Sequence, residues 1–208
     1  MEPDQIKKVI EQIRLLPNAQ VDCGTAQGQD HFLAQLRKHS STPERLELPF
    51  DWHVKETDKC LKQVDDLVQP FSLPTDYLSF LKLYGGITIS NEDSWFTSLG
   101  LGPMSEEWYP YLAGKVGYYQ HGFLKIGALR FCNPIEDKFM YVSFFLDLGN
   151  RIQRNGVIGV SMWELGAHHL QDVFREPQSH SFCWSLIADS FTAWFQIVAT
   201  TQGRFKYL

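Results

Sequence analysis

The sequence predicts an α+β fold: a single domain with a mixed or mainly antiparallel central sheet flanked by helices, plus an N-terminal helical extension. Three observations lead there. Apolar residues recur at helical spacing in the first part of the chain and again near its end. Between these stretches the period drops to the alternation of strands, punctuated by Gly and Asn-Gly turns. Helices first, strands in the middle and a helix last favour α+β over alternating βαβ units. The composition agrees, with 44% hydrophobic and 21% charged residues in a chain of 208. A chain of this size buries roughly 70% of the surface its unfolded state exposes, so it needs no disulfide or metal to build a core.

The first helix is expected over residues 3–16, with Ile6, Val9, Ile10, Ile13 and Leu16 on one stripe, stopped by Pro17-Asn18. A polar, Gly-containing stretch follows over 18–30, then a short helix over 31–38 carrying Phe32, Leu33 and Leu36. Residues 1–50 read as the extension, docked on a main domain of 51–208. Within the main domain, 55–68 reads as an amphipathic helix with Leu61, Val64, Leu67 and Val68 inward. Gln69-Pro70 ends it, because the residue before proline avoids helical angles. Pro74 is suited to the first turn of the next helix, where Tyr77, Leu78, Leu81 and Tyr84 form the stripe. Gly85-Gly86 closes it, and one of the two glycines is expected at positive φ.

Ile87-Thr88-Ile89-Ser90 alternates as a strand does, and Trp95-Phe96-Thr97-Ser98-Leu99 and Phe123-Leu124-Lys125-Ile126-Gly127 read as further strands. Residues 139–147 are apolar on both faces, which predicts a central strand. Asn155-Gly156 marks a turn into Val157-Ile158-Gly159-Val160. The last helix is expected over 182–200, with Phe182, Leu186, Ile187, Phe191, Trp194, Phe195 and Val198 on its apolar face.

Several of these segments together resemble the SUKH superfamily, which includes bacterial toxin-immunity proteins and fungal glucan-synthesis regulators. Leu73-Pro74-Thr75-Asp76-Tyr77-Leu78-Ser79-Phe80-Leu81, followed by Tyr84-Gly85-Gly86-Ile87, is similar to that family's opening motif. Phe123 to Gly127 resembles its apolar-x-Ile-Gly strand, and the strand ending in Leu146-Asp147 resembles its Leu-Asp strand. Ile187-Ala188-Asp189-Ser190-Phe191 resembles the start of its closing helix. The resemblance runs over residues 54–199 and departs from the family pattern before Pro49 and in a long aromatic loop over 98–120. It implies an immunity or regulatory role and carries over no catalytic residue.

The motifs that usually announce chemistry are missing. His168-His169 are neighbours, which point apart on a helix or strand, and no HExxH occurs. Ser161 lacks the glycine elbow of a GxSxG nucleophile. Gly100-Leu101-Gly102-Pro103 is not a phosphate cradle, because proline removes an amide donor. Asp65-Asp66, Glu92-Asp93, Glu106-Glu107 and Glu136-Asp137 read as solvated pairs rather than a carboxylate dyad. Cys23, Cys60, Cys132 and Cys183 are widely spaced and read as reduced thiols. The N-terminus has no signal-peptide pattern and no apolar stretch reaches the ~20 residues of a membrane span, so the expectation is a cytoplasmic protein without membrane association. A net charge of −5 argues against nucleic-acid binding.

What remains is an aromatic loop. Trp95 and then Trp108, Tyr109, Tyr111, Tyr118 and Tyr119 crowd a Gly-rich region that also carries Glu106 and Glu107. These aromatics either hold the loop onto the domain or form a binding surface, since Trp and Tyr are enriched at hot spots. The expected partner-binding residues are Glu106, Glu107, Trp108, Tyr109, Tyr111, Tyr118 and Tyr119. The expected function is non-enzymatic, without cofactor or metal: an immunity protein that binds a cognate toxin. The alternative is a regulatory scaffold, and a third class is a small-molecule enzyme whose site is assembled only in the fold.

Overall fold

The computed structural model describes residues 3–22, 61, 66, 68–84, 86–99, 121–133, 138–161 and 172–205. In chain order these form α1 (Pro3–Arg14), β1 (Ala19–Asp22), α2 (Thr75–Leu83), β2 (Gly86–Ser90), β3 (Ser94–Leu99), β4 (Phe123–Asn133), β5 (Lys138–Asp147), β6 (Val157–Ser161), a 3-10 segment (Pro177–Cys183), β7 (Trp184–Ala188) and α3 (Phe191–Thr201). The seven strands make one sheet in the order β1 to β7. Every neighbouring pair is antiparallel, so the sheet is a meander and the α+β expectation holds.

Ile6, Val9, Ile10 and Ile13 are all buried, as their spacing requires, and α1 packs on α2 and α3. The sequence analysis leaves 18–30 without structure, yet Ala19–Asp22 pairs with β2 as an edge strand. Four residues are too short for alternation to stand out, and the strand is fixed by long-range contact: Asn18 Nδ2 donates to Ser90 O and Asn91 Oδ1, each at 2.6 Å. The expected helix over 31–38 lies outside the described residues, as does most of the one over 55–68, of which Val68 is fully buried.

Pro74 is the N-cap of α2, at φ −59° and ψ 144°, and the helix starts at Thr75. After Leu83 the chain is extended at Tyr84, and Gly86 takes φ 149°, the expected positive value. Asp76, in the first turn of α2, is buried, and its Oδ2 accepts from Thr192 N (2.9 Å) and Thr192 Oγ1 (3.0 Å). One carboxylate therefore ties the start of α2 to the start of α3.

The closing helix differs from expectation. It begins at Phe191, capped by Ser190 Oγ accepting from Ala193 N at 3.1 Å. Residues 184–188 are instead strand β7, with Trp184 opposite Val160 and Leu186 opposite Ile158. Phe182 and Leu186 are exposed, at 75% and 43%, and do not belong to the helix face. The apolar spacing runs on from strand to helix without a gap, and Asp189-Ser190 is the break: a side-chain oxygen there satisfies the first free amides of a helix.

The three helices cover one face of the sheet. Ile87, Ile89, Phe96, Leu129, Val142, Phe144, Leu146 and Val157 meet them there. Trp194 lies at the centre, fully buried, with ring centroids of Phe144 and Phe96 at 5.1 and 5.6 Å. It fits because β4 carries Gly127 beneath it. A Cβ on Gly127 would stand 2.9 Å from the Trp194 ring and 2.8 Å from Thr97 O. Burying a Trp removes ~150–250 Å² from water, worth about 4–6 kcal/mol. Its Nε1 finds no hydrogen-bond partner among the described residues, which costs about 1–3 kcal/mol, so packing wins. On the opposite face Phe123, Phe145, Ile158 and Val160 form a smaller cluster with Val173, Phe174 and Cys183. β5 contributes to both clusters, as the central strand should.

Gly127→Ala is expected to destabilise the protein by about 1–3 kcal/mol, because backbone as well as ring must move. Urea melts would measure it. An unchanged midpoint would mean that α3 docks without needing that gap.

Candidate interaction surface

The face turned away from the helices is set by strand alternation. Phe96 points into the helical core, so Trp95 points out. Register then aligns Trp95 with Arg130 and Arg130 with Tyr141, in one row across β3, β4 and β5. Trp95 and Tyr141 are large side chains 42% and 48% exposed, and they are not absorbed by the cluster around Phe145. The Arg130 guanidinium carbon lies 5.7 Å from the Tyr141 ring centroid, within cation–π range. The adjacent row, Thr88, Thr97, Ala128 and Ser143, carries small side chains. Thr97 and Ser143 of that adjacent row are buried. Further along β4, burial holds Lys125 below the usual ammonium range.

Chemically this row offers two flat aromatic faces and a guanidinium that prefers planar oxygen acceptors. It suits recognition rather than bond-making, since no side chain in it is a nucleophile with a base beside it. A polar cleft of about 440 Å³ lies elsewhere, between the starts of α2 and α3, and is lined by Thr75, Asp76, Arg154, Asn155, Asp189 and Ser190 among others. Two of its groups already serve the fold: the Asp76 carboxylate holds Thr192, and the Ser190 hydroxyl caps α3. Among the described residues no three His, Cys, Asp or Glu side chains come together as metal ligands, and no helix is long and apolar enough to cross a membrane.

Of the aromatic set singled out in the sequence, Trp95 is placed on β3. Glu106, Glu107, Trp108, Tyr109, Tyr111, Tyr118 and Tyr119 lie outside the described residues. Sequence reasoning missed Arg130 and Tyr141. It ended the fourth strand at Gly127, whereas β4 continues to Asn133, with its irregularity between Lys125 and Gly127. Tyr141 was one aromatic in a strand apolar on both faces, and only cross-strand register shows that it neighbours Arg130. The chain matches no family model, no curated protein and no solved structure.

Trp95→Ala and Tyr141→Ala should change stability by no more than about 0.5–1 kcal/mol, as exposed positions do. Phe96→Ala, one residue along β3 but fully buried, should cost about 3–5 kcal/mol. Denaturant melts of the three variants decide it. A loss at Trp95 equal to that at Phe96 would show that the face is packed rather than open.

Proposed function

We propose that this chain is a non-enzymatic binding protein of the SUKH immunity type, acting in the cytoplasm, and that the Trp95–Arg130–Tyr141 row is part of its contact surface. The carrying observation is that row: two half-exposed aromatics and an arginine aligned on one sheet face. Trp, Tyr and Arg are the residue types that dominate binding energy at protein interfaces. An exposed aromatic row also costs solubility unless a partner covers it. The segments that resemble the SUKH pattern support the reading from a second side. Asp76 of the opening motif and Asp147 of the Leu-Asp strand are buried and make fold-defining hydrogen bonds, as scaffold positions of a binding fold would. The partner is a protein with a basic face, since the chain carries −5 and opposite charge speeds encounter.

The test is to express a toxin encoded beside this chain's gene together with the wild-type chain or its variants, and to measure both survival and dissociation. Trp95→Ala or Tyr141→Ala should raise the off-rate and weaken affinity about 30-fold, the equivalent of ~2 kcal/mol. Glu106→Lys with Glu107→Lys should chiefly slow association, more so at low salt. Full protection and unchanged kinetics in the Trp95 and Tyr141 variants would remove the row from the interface.

A further inference from the structure

Among the described residues the sheet ends in β1 on one side and in β7 on the other. The two edges differ. β1 is four residues long and ends in Asp22. β7 reads Trp184-Ser185-Leu186-Ile187-Ala188, without the charge or proline that usually guards an edge. It pairs with β6 alone among the described residues. In an antiparallel ladder successive residues direct their N–H and C=O groups to opposite sides. Part of the β7 main chain therefore faces away from β6. A bulge at Ile187 interrupts the register, which leaves Trp184 to Leu186 as the regular stretch. The Trp184 Nε1 donates to Pro177 O at 2.9 Å and ties the 3-10 segment to the start of the strand, so this edge is held in place.

Apolar surface and a cavity adjoin the edge. Phe182, just before β7, and Leu186 within it are exposed. Register sets Ser161 opposite Val142 and Gly159 opposite Phe144, on the face that Val142 and Phe144 turn to the helical core. The small residues Gly159 and Ser161 leave a cavity of about 230 Å³ there, lined by Met140 and Val142 from β5 and by Phe182 and Ser185 from the β7 side, among others. Small-molecule sites run to roughly 300–1,000 Å³, so this one suits a single side chain. Past the other end of β7 stands Asp189, exposed and without an ion pair or side-chain hydrogen bond among the described residues.

We infer that the outer edge of β7 binds an extended segment of a protein partner, which adds a strand to the sheet, seats one apolar side chain in the cavity beside Phe182 and sets a lysine or arginine against Asp189. Main-chain hydrogen bonds along Trp184–Leu186 supply affinity and the cavity supplies selectivity, as strand addition does elsewhere. Charge favours such a segment over a second copy of this chain. Two copies each bring a charge of −5, and the stretch from Ser181 to Ser190 holds no lysine or arginine to set against Asp189. The edge lies two strands from β5, the nearest strand of the aromatic row, and the inference does not rest on the immunity reading.

The experiment selects random phage-displayed peptides on the full chain, with the Leu186→Lys chain as counter-selection, and then measures the enriched peptides in solution. They should combine β-branched or aromatic residues with a lysine or arginine and bind with a dissociation constant on the order of 10 μM. They should also slow hydrogen exchange at the β7 amides. Leu186→Lys, Ser161→Leu, which fills the cavity, and Asp189→Asn should each weaken binding about tenfold. The Asp189 effect should fade at high salt, and the Ser161 effect should not. No enrichment over the counter-selection, affinity unaltered by all three variants, or protection confined to amides outside β7 would overturn the site. Sedimentation of the chain alone tests the other occupant. A dimer that Leu186→Lys dissolves assigns the edge to self-pairing and overturns the inference, and a monomer supports it. The three positions are exposed or half-buried, and the amide spectrum of each variant reports its fold separately.

Discussion

The indole of Trp194 occupies the space that a side chain on Gly127 would need, and the arrangement of the helices follows from that contact. It fixes α3 over β3, β4 and β5, because the ring rests between Phe96 and Phe144. Once α3 is placed, Phe191 and Phe195 meet Tyr77 and Phe80 of α2, with centroids 4.8–5.2 Å apart. α1 then closes over both helices with its row of isoleucines. Aromatic rings at these separations add about 0.5–1.5 kcal/mol per pair beyond the area they bury. Such a cluster tolerates little displacement, since interiors are packed as densely as organic crystals.

Two buried carboxylates set the chain's path around this core, and neither is paired with a cation among the described residues in the way surface acids are. Asp76 holds the start of α3 against the start of α2. Asp147 gathers three successive amides and shapes the turn between β5 and β6, where Asn150 and Asn155 sit at positive φ. A buried carboxylate stripped of water is costly unless hydrogen bonds replace its hydration, and here backbone and hydroxyl donors do so. The result is directional: each acid tolerates only one arrangement of its donors. The same turn is what presents Arg151 to Arg175.

Where helix and strand periods were long and uninterrupted, the sequence made the fold legible. The stripe of α1, the double-sided hydrophobicity of β5 and the Gly86 turn all follow from local patterns. β1 was not legible, because four residues are too few to carry a period and are ordered by β2 and the Asn18 bonds. β7 was read as helix because Phe182, Leu186 and Ile187 run into the spacing of Phe191 and Trp194; Ser190 was the local signal that separates them. The candidate surface was half legible. Trp95 stood out as an aromatic in a polar stretch, but its partners are 35 and 46 positions further on, at Arg130 and Tyr141, and cross-strand register is a property of the whole sheet.

On the proposed reading, the division between the two faces would let a binding surface vary without loss of fold. Most of the large buried aromatics lie under the helices, and the second cluster, around Phe123, Phe145 and Phe174, draws on β4, β5 and β6 of the other face. Charge and contact would act at different stages of the proposed binding. The net charge of −5 acts over roughly a Debye length, about 8–10 Å, and would govern encounter. Trp95 and Tyr141 would act only once water has been expelled between the surfaces, and so would govern how long the proposed complex lasts. In the proposed complex the charge would attract broadly and the two exposed aromatics would retain selectively, because only a partner with planar apolar groups at the spacing of β3 and β5 would cover Trp95 and Tyr141 at once.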